Sequence, residues 1–186
     1  YIMTTTTGNA ASVMSKLEDW LQTEWPELQV YLTSITEQFS TISLNGPNSR
    51  KLIEKLSSSH DFSKNSFPHM SFQNVIFDGI NCRVMRISFT GELCYEINVP
   101  SSYANDLWKK CIDAGKEFNI TPYGTEAMHV LRAEKGFIIV GQETDGSITP
   151  IDLDMDWIVS KKKYDFIGKR ALYRSDTIKE GRKQLV

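Results

Sequence analysis

The sequence predicts an α+β protein, an antiparallel sheet with helices packed against it. Two observations carry this expectation. Strand-like and helix-like stretches follow in the order strand, helix, two strands, helix, hairpin, strand, two helices, which segregates them rather than strictly alternating them. In addition, Asp78-Gly79 joins two strand-like runs, a strong signal for a tight antiparallel hairpin.

Each element has its own signal. Tyr1–Thr7 is β-branched and aromatic and reads as a strand. Val13, Met14, Leu17, Trp20 and Leu21 make the stripe of an amphipathic helix over Ala10–Trp25, stopped by Pro26. Leu28–Thr36 alternates and reads as a strand, as does Phe39–Leu44. Asn45-Gly46-Pro47 closes that second strand and places Pro47 at the first position of a helix buried through Leu52, Ile53 and Leu56. Ser57–Pro68 is polar and reads as loop. Phe72–Asp78 and Ile80–Thr90 form the hairpin, and Leu93–Val99 the next strand. Leu93, Tyr95, Ile97 and Val99 share one face of that strand, with Cys94, Glu96 and Asn98 on the other. A helix opens near Ser101 with Tyr103, Leu107, Cys111, Ala114 and Phe118 as its core stripe. Thr125–Lys135 is a shorter helix capped by the left-handed Gly136. Gly141–Pro150 reads as loop, Ile151–Ser160 as mixed, and Phe166–Tyr173 as a last short helix.

Composition removes whole classes. The 186 residues carry a net charge of −2, which argues against a dedicated nucleic-acid binder. No run approaches the length of a membrane span, and Tyr1–Gly8 lacks the basic and apolar regions of a signal peptide. The charge is uneven: residues 151–186 are net basic, and a solvated lysine-rich surface is the plain reading. Cys82, Cys94 and Cys111 are odd in number and unpaired by spacing. They read as buried free thiols in a reducing, cytoplasmic compartment. The histidines lack metal-ligand spacing. The dinucleotide fingerprint, P-loop, hydrolase elbow and zincin motif are all missing.

Two constellations could carry chemistry. Glu96 faces away from its strand's apolar stripe, seven residues after Phe89 and across the Thr90-Gly91-Glu92 turn. Solvation is the ordinary state of such a carboxylate. The alternative is a flat heterocycle, its ring packed on Phe89 and its amidine-like edge donating two N–H bonds to the carboxylate. Asp152, Asp154 and Asp156 precede Trp157, but the glycine and glutamate of a calcium loop are missing, so no metal is expected. Trp157 is a core residue by default and otherwise an aromatic wall.

Four stretches together resemble the glycine-cleavage T-protein (aminomethyltransferase) superfamily. They are Phe89-Thr90-Gly91-Glu92-Leu93-Cys94-Tyr95-Glu96-Ile97, Tyr123-Gly124-Thr125-Glu126-Ala127, Leu131-Arg132-Ala133-Glu134-Lys135-Gly136 and Phe166-Ile167-Gly168-Lys169-Arg170-Ala171-Leu172. Within it, Tyr31-Leu32-Thr33-Ser34-Ile35-Thr36-Glu37-Gln38 and Gly141-Gln142-Glu143-Thr144-Asp145-Gly146 look closest to the folate-binding region of heterotetrameric sarcosine oxidase alpha subunits.

The resemblance implies a tetrahydrofolate site. Its pterin-binding acid matches Glu96, its aromatic seven residues earlier matches Phe89, and its tryptophan matches Trp157. A polar strand-end residue of the family falls near Thr5, and an arginine used near the folate tail falls at Met128. The family's catalytic aspartate should lie before Tyr1, so no catalytic residue is expected here. The resemblance thus makes residues 1–186 a partial folate-binding domain without its N-terminal part and its C-terminal barrel. It implies oxidative demethylation of sarcosine to glycine, with 5,10-methylene-tetrahydrofolate as co-product. FMN, FAD or NAD would enter only through other regions, and the partners would be the other sarcosine oxidase subunits. Rival readings are a T-protein, a dimethylglycine oxidase or dehydrogenase, and a non-catalytic folate-fold assembly module.

Overall fold

The computed structural model describes residues 1–57, 59–174 and 177. Its described residues fall into two compact units that divide between Thr125 and Glu126.

The first unit is built on a four-stranded, wholly antiparallel sheet. Its strands are β1 (Phe39–Asn45), β2 (Phe72–Phe77), β3 (Ile80–Met85) and β4 (Cys94–Pro100), in the order β1-β4-β3-β2. β2 and β3 are the expected hairpin. Asp78 (φ 49°) and Gly79 (φ 81°) are both left-handed, the mirror-image turn whose twist matches the strands.

One face of this sheet is the core. Ile42 and Leu44 of β1, Val75 and Phe77 of β2, Cys82 and Val84 of β3, and Tyr95, Ile97 and Val99 of β4 are all buried. They pack with Leu52 and Ile53 of α2 (Ser49–Leu56) and with Leu107 and Cys111 of α3 (Ala104–Gly115). α3 turns tightly at its end: a Cβ on Gly115 would lie 2.6 Å from Ile120 Cγ2, so only glycine admits that approach. Pro47 lies before the helix cap Asn48 rather than at the first helical position. Tyr103, expected in the α3 stripe, is exposed ahead of the helix.

The polar segment is irregular over residues 59–68, as expected, yet it completes the core. Phe62 and Phe67 are fully buried against Tyr95, with ring centroids 6.2 and 5.7 Å from it. The segment is pinned by Arg86 Nη1, which donates to Phe67 O at 2.8 Å.

Three expected strands differ. Residues 1–6 form no strand and are exposed, and a single helical turn (Thr7–Asn9) leads into α1 (Ala10–Thr23). Residues 28–35 also pair with no strand, and Leu28, Val30 and Tyr31 are exposed. β-propensity stabilises a strand only beside a partner, and these segments have none among the described residues. β3 stops at Met85 instead of reaching Thr90, because Arg86 exchanges backbone bonds with Met70 and Ser71 and the chain then bends away. α1 forms where expected, but its stripe of Val13, Met14, Leu17, Trp20 and Leu21 is only half-buried.

The second unit opens on α4 (Thr125–Glu134), which ends as expected at Gly136 (φ 71°). The Gly136 and Phe137 N–H groups return to Ala133 and Arg132 oxygens, satisfying the last carbonyls. A helical turn at Asp156–Ile158 and α5 (Lys169–Leu172), shorter than expected, follow. Lys179, Arg182 and Lys183 of the basic stretch lie outside the described residues. No helix among the described residues is long and apolar enough to cross a membrane.

Candidate functional site

The second face of the sheet is polar, and strand alternation makes it so. With Ile42 and Leu44 turned into the core, Thr41, Ser43 and Asn45 share the other face of β1. With Tyr95, Ile97 and Val99 inward, Cys94, Glu96 and Asn98 share the other face of β4. The register sets Ser43 against Glu96, Asn45 against Cys94 and Thr41 against Asn98, while β3 places Met85 against Glu96 from the other side.

Glu96 is therefore central, half-buried between two strands. Burial pushes its carboxyl above the usual range, and no hydrogen bond among the described residues offsets that effect. Around it the polar groups are engaged with one another. Asn45 is a hub: its Nδ2 donates to Ser43 Oγ at 2.9 Å and to the Tyr123 hydroxyl, and its Oδ1 accepts from the buried Thr90 Oγ1 at 3.0 Å. Ser43 Oγ meets Cys94 Sγ at 3.3 Å, and Thr41 Oγ1 donates to Asn98 Oδ1 at 3.0 Å. Asn98 Nδ2 is buried and donates to nothing among the described residues. Among the described residues the face thus holds a half-buried acceptor without a donor, Glu96, and a buried donor without an acceptor, Asn98 Nδ2; a buried polar group avoids that state unless something else completes it.

Phe89 sits half-buried in the connection from β3 to β4, next to Thr90 and hence to the Asn45 hub. Thr5 lies in the exposed N-terminal segment, and its hydroxyl reaches only the Thr6 carbonyl, at 3.5 Å. Trp157 belongs to the second unit and is 75% exposed, so its default place in a core is not what the fold adopts. Met128 lies half-buried on α4. Asp152 is buried, its carboxylate accepting from both the amide and the hydroxyl of Thr149 at 2.8 Å. The cysteines are the buried free thiols expected; burial pushes Cys82 and Cys94 up to about 11 and Cys111 up to about 12.

Two features of the sites escape a reading by motif. Asn45, Ser43 and Tyr123 look like turn and loop residues, although the Thr41-Ser43-Asn45 alternation is the pattern of a polar sheet face. Arg132 is the anchor of the second unit. Buried at the end of α4, it donates to Phe137 O at 2.9 Å and Gln142 Oε1 at 3.1 Å, and pairs with Glu143 Oε1 at 2.7 Å. The Ile139 N–H and then the guanidinium hold Glu143 below the usual carboxylate range. Arg132→Met, which cannot bond to Phe137 or Gln142, should lower local stability by about 2 kcal/mol. Hydrogen exchange should quicken at the amides of residues 137–143 and stay unchanged in β4. Unchanged protection at Ile139 would remove Arg132 from this role.

Residues 1–163 match the family model described as the GCVT N-terminal domain. The chain belongs to that family. The GCVT domain is 58% identical over 187 aligned residues to the sarcosine oxidase subunit alpha of Corynebacterium sp. (strain U-96), covering 100% of this chain and 19% of that protein. It is 41% identical to the sarcosine oxidase subunit alpha of Rhizobium meliloti (strain 1021), again over 100% of this chain and 19% of the relative. An aminomethyltransferase of Thermoanaerobacter pseudethanolicus is 34% identical over 89% of this chain and 44% of its own length. The chain therefore spans about a fifth of the sarcosine oxidase relatives. Sheet, helices and family agree with the α+β fold expected of the aminomethyltransferase superfamily.

Proposed function

We propose that this GCVT domain is the folate-holding part of a sarcosine-oxidising enzyme, which passes the one-carbon unit of sarcosine to tetrahydrofolate. The observation that carries the reading is Glu96: a half-buried carboxylate, desolvated and unpaired, on a polar sheet face. An ionised carboxylate in that position is stabilised by two parallel N–H donors, the edge that a pterin offers. The buried, unpartnered Asn98 Nδ2 on the same face also fits a polar heterocycle. The names of the sarcosine oxidase relatives support the wider setting.

Tetrahydrofolate, when bound, supplies the nitrogen that accepts the one-carbon unit. This chain's residues bind and orient it. Glu96 accepts the N–H edge, and Phe89 offers an aromatic surface beside the turn that Thr90 ties down. Trp157 and Thr5 are assigned to the folate on sequence grounds alone. Holding an acceptor in a reactive pose lowers a barrier by several kcal/mol. FMN, FAD and NAD chemistry belongs to other regions or subunits of the proposed complex, in a cytoplasmic setting.

Tetrahydrofolate binding to the assembled enzyme, followed by calorimetry, tests the reading, and no binding overturns it. The isolated 186-residue chain should show no sarcosine turnover. Oxygen consumption with sarcosine and this polypeptide alone would contradict the division of labour.

The aminomethyltransferase relatives favour a second reading, the same folate site serving transfer without oxidation. Met128, where that branch's arginine would be expected, counts against it. Flavin bound to the purified complex separates the two.

A further inference from the structure

Tyr123 is the one aromatic hydroxyl joined to the polar face beside Glu96 among the described hydrogen bonds. Its oxygen is approached by donors. Asn45 Nδ2 donates to it, and Asn45 cannot turn round, because its other amide hydrogen is engaged by Ser43 and its carbonyl by Thr90. A primary amide has two hydrogens and one carbonyl, so this hub is complete. Asn45 and Ser43 both bond to this hydroxyl, and with those two contacts on its oxygen the phenol offers its own proton to a further partner. Cross-strand pairing places the hub close to Glu96: Ser43 is directly opposite it, and directly opposed residues have Cβ atoms about 5 Å apart. Burial, with smaller pushes from Cys94 and then Glu96, moves the Tyr123 phenol up against the lowering bonds of Ser43 and Asn45.

We propose that Tyr123 is a specificity-determining donor of the Glu96 site, reading the ring carbonyl that adjoins the N–H edge taken by Glu96. The proposal rests on the folate reading and deepens it. A pterin presents an amino group, a ring N–H and a carbonyl in a row. Glu96 accepts from the first two, and a fixed donor is what the third requires. If an amino group replaces that carbonyl, two donors face one another, since the Tyr123 oxygen is already engaged by Asn45. A site with committed polar groups discriminates strongly against a ligand that leaves them unmatched. The site should therefore favour oxo-pterins over their amino counterparts.

Tetrahydroaminopterin carries an amino group in place of this carbonyl, and its adjacent ring nitrogen has no hydrogen, so the comparison removes the acceptor read by Tyr123 and one donor to Glu96; the Tyr123 share is the part that Tyr123→Phe abolishes. Calorimetry on the assembled enzyme should find tetrahydrofolate bound at least about tenfold more tightly. In Tyr123→Phe, which keeps the ring, tetrahydrofolate should bind about tenfold more weakly and the preference should shrink by about threefold or more, the remainder being that of Glu96 for the ring N–H. A merely structural tyrosine would weaken both ligands alike and leave the ratio unchanged, which overturns the proposal. So does a preference that is unchanged in Tyr123→Phe but reduced in Asn98→Ala, because the carbonyl would then be read by Asn98. If neither ligand binds the unmodified enzyme, the folate reading fails, and this inference with it. Binding that depends on Glu96, with a preference that Tyr123→Phe leaves unchanged, leaves the folate reading standing and sinks only this inference.

Discussion

Glu96→Gln should weaken tetrahydrofolate binding to the assembled enzyme by about 10–100-fold, the range expected when a charge-assisted hydrogen-bond pair is lost. The amide keeps one acceptor oxygen and presents an N–H toward a donor, so one of the two bonds becomes a clash of donors. The substitution changes no volume and leaves the core face of β4 untouched, so the fold should persist. Calorimetry reads the change, and an unaltered affinity would remove Glu96 from the site.

The pH dependence has a fixed sign. Burial raises the Glu96 carboxyl above its usual range. For folding, a raised acid contributes stability below its unfolded value and loses it as pH rises through the folded pKa. For binding, the ionised form is the one that accepts both N–H groups. Folate affinity should therefore decline as pH falls through that raised pKa, and Glu96→Gln should flatten the profile over the same range. A wild-type profile that is flat there would show that ionised Glu96 plays no part.

Phe67→Ala should lower the stability of the first unit by about 3–5 kcal/mol, the usual cost of removing a buried phenylalanine. Phe67 has 0% exposure and packs at 6.0 Å from Phe62 and 5.7 Å from Tyr95. The loss is about a fifth or more of the stability of an ordinary domain. It should also reach the candidate site. Tyr95 is the neighbour of Glu96, and its ring packs against both phenylalanines while its hydroxyl accepts from Arg50 Nε at 3.1 Å. Because strand neighbours point to opposite faces, anchoring Tyr95 inward holds Glu96 outward. Denaturant unfolding measures the change, and a loss under about 1 kcal/mol would mean that segment 57–68 is not part of the core.

Where a local rule has a local cause, the sequence and the fold agree. The Asp78-Gly79 hairpin needs only two left-handed residues, the α4 cap needs Gly136, and the two faces of β4 need only alternation. Glu96 was legible as a carboxylate off the apolar stripe, and the family was legible in the order of its motifs. Residues 1–6 and 28–35 carry strand-like patterns without becoming strands, because pairing is a long-range event that propensity cannot supply.

By itself, then, the sequence determined the fold class, the hairpin, the helices and the outward face of Glu96, all consequences of period and turn chemistry. Only the tertiary structure decided what surrounds that carboxylate. Pairing of β1 with β4 brings Ser43 and Asn45 to Glu96 across more than fifty residues, and Tyr123 joins them from beyond α3. The same long-range packing draws Phe62 and Phe67 from a polar loop into the core and buries Arg132 under its own downstream segment. Hydrogen bonds and apolar burial between segments distant in the chain made those choices, and neither is written in local pattern.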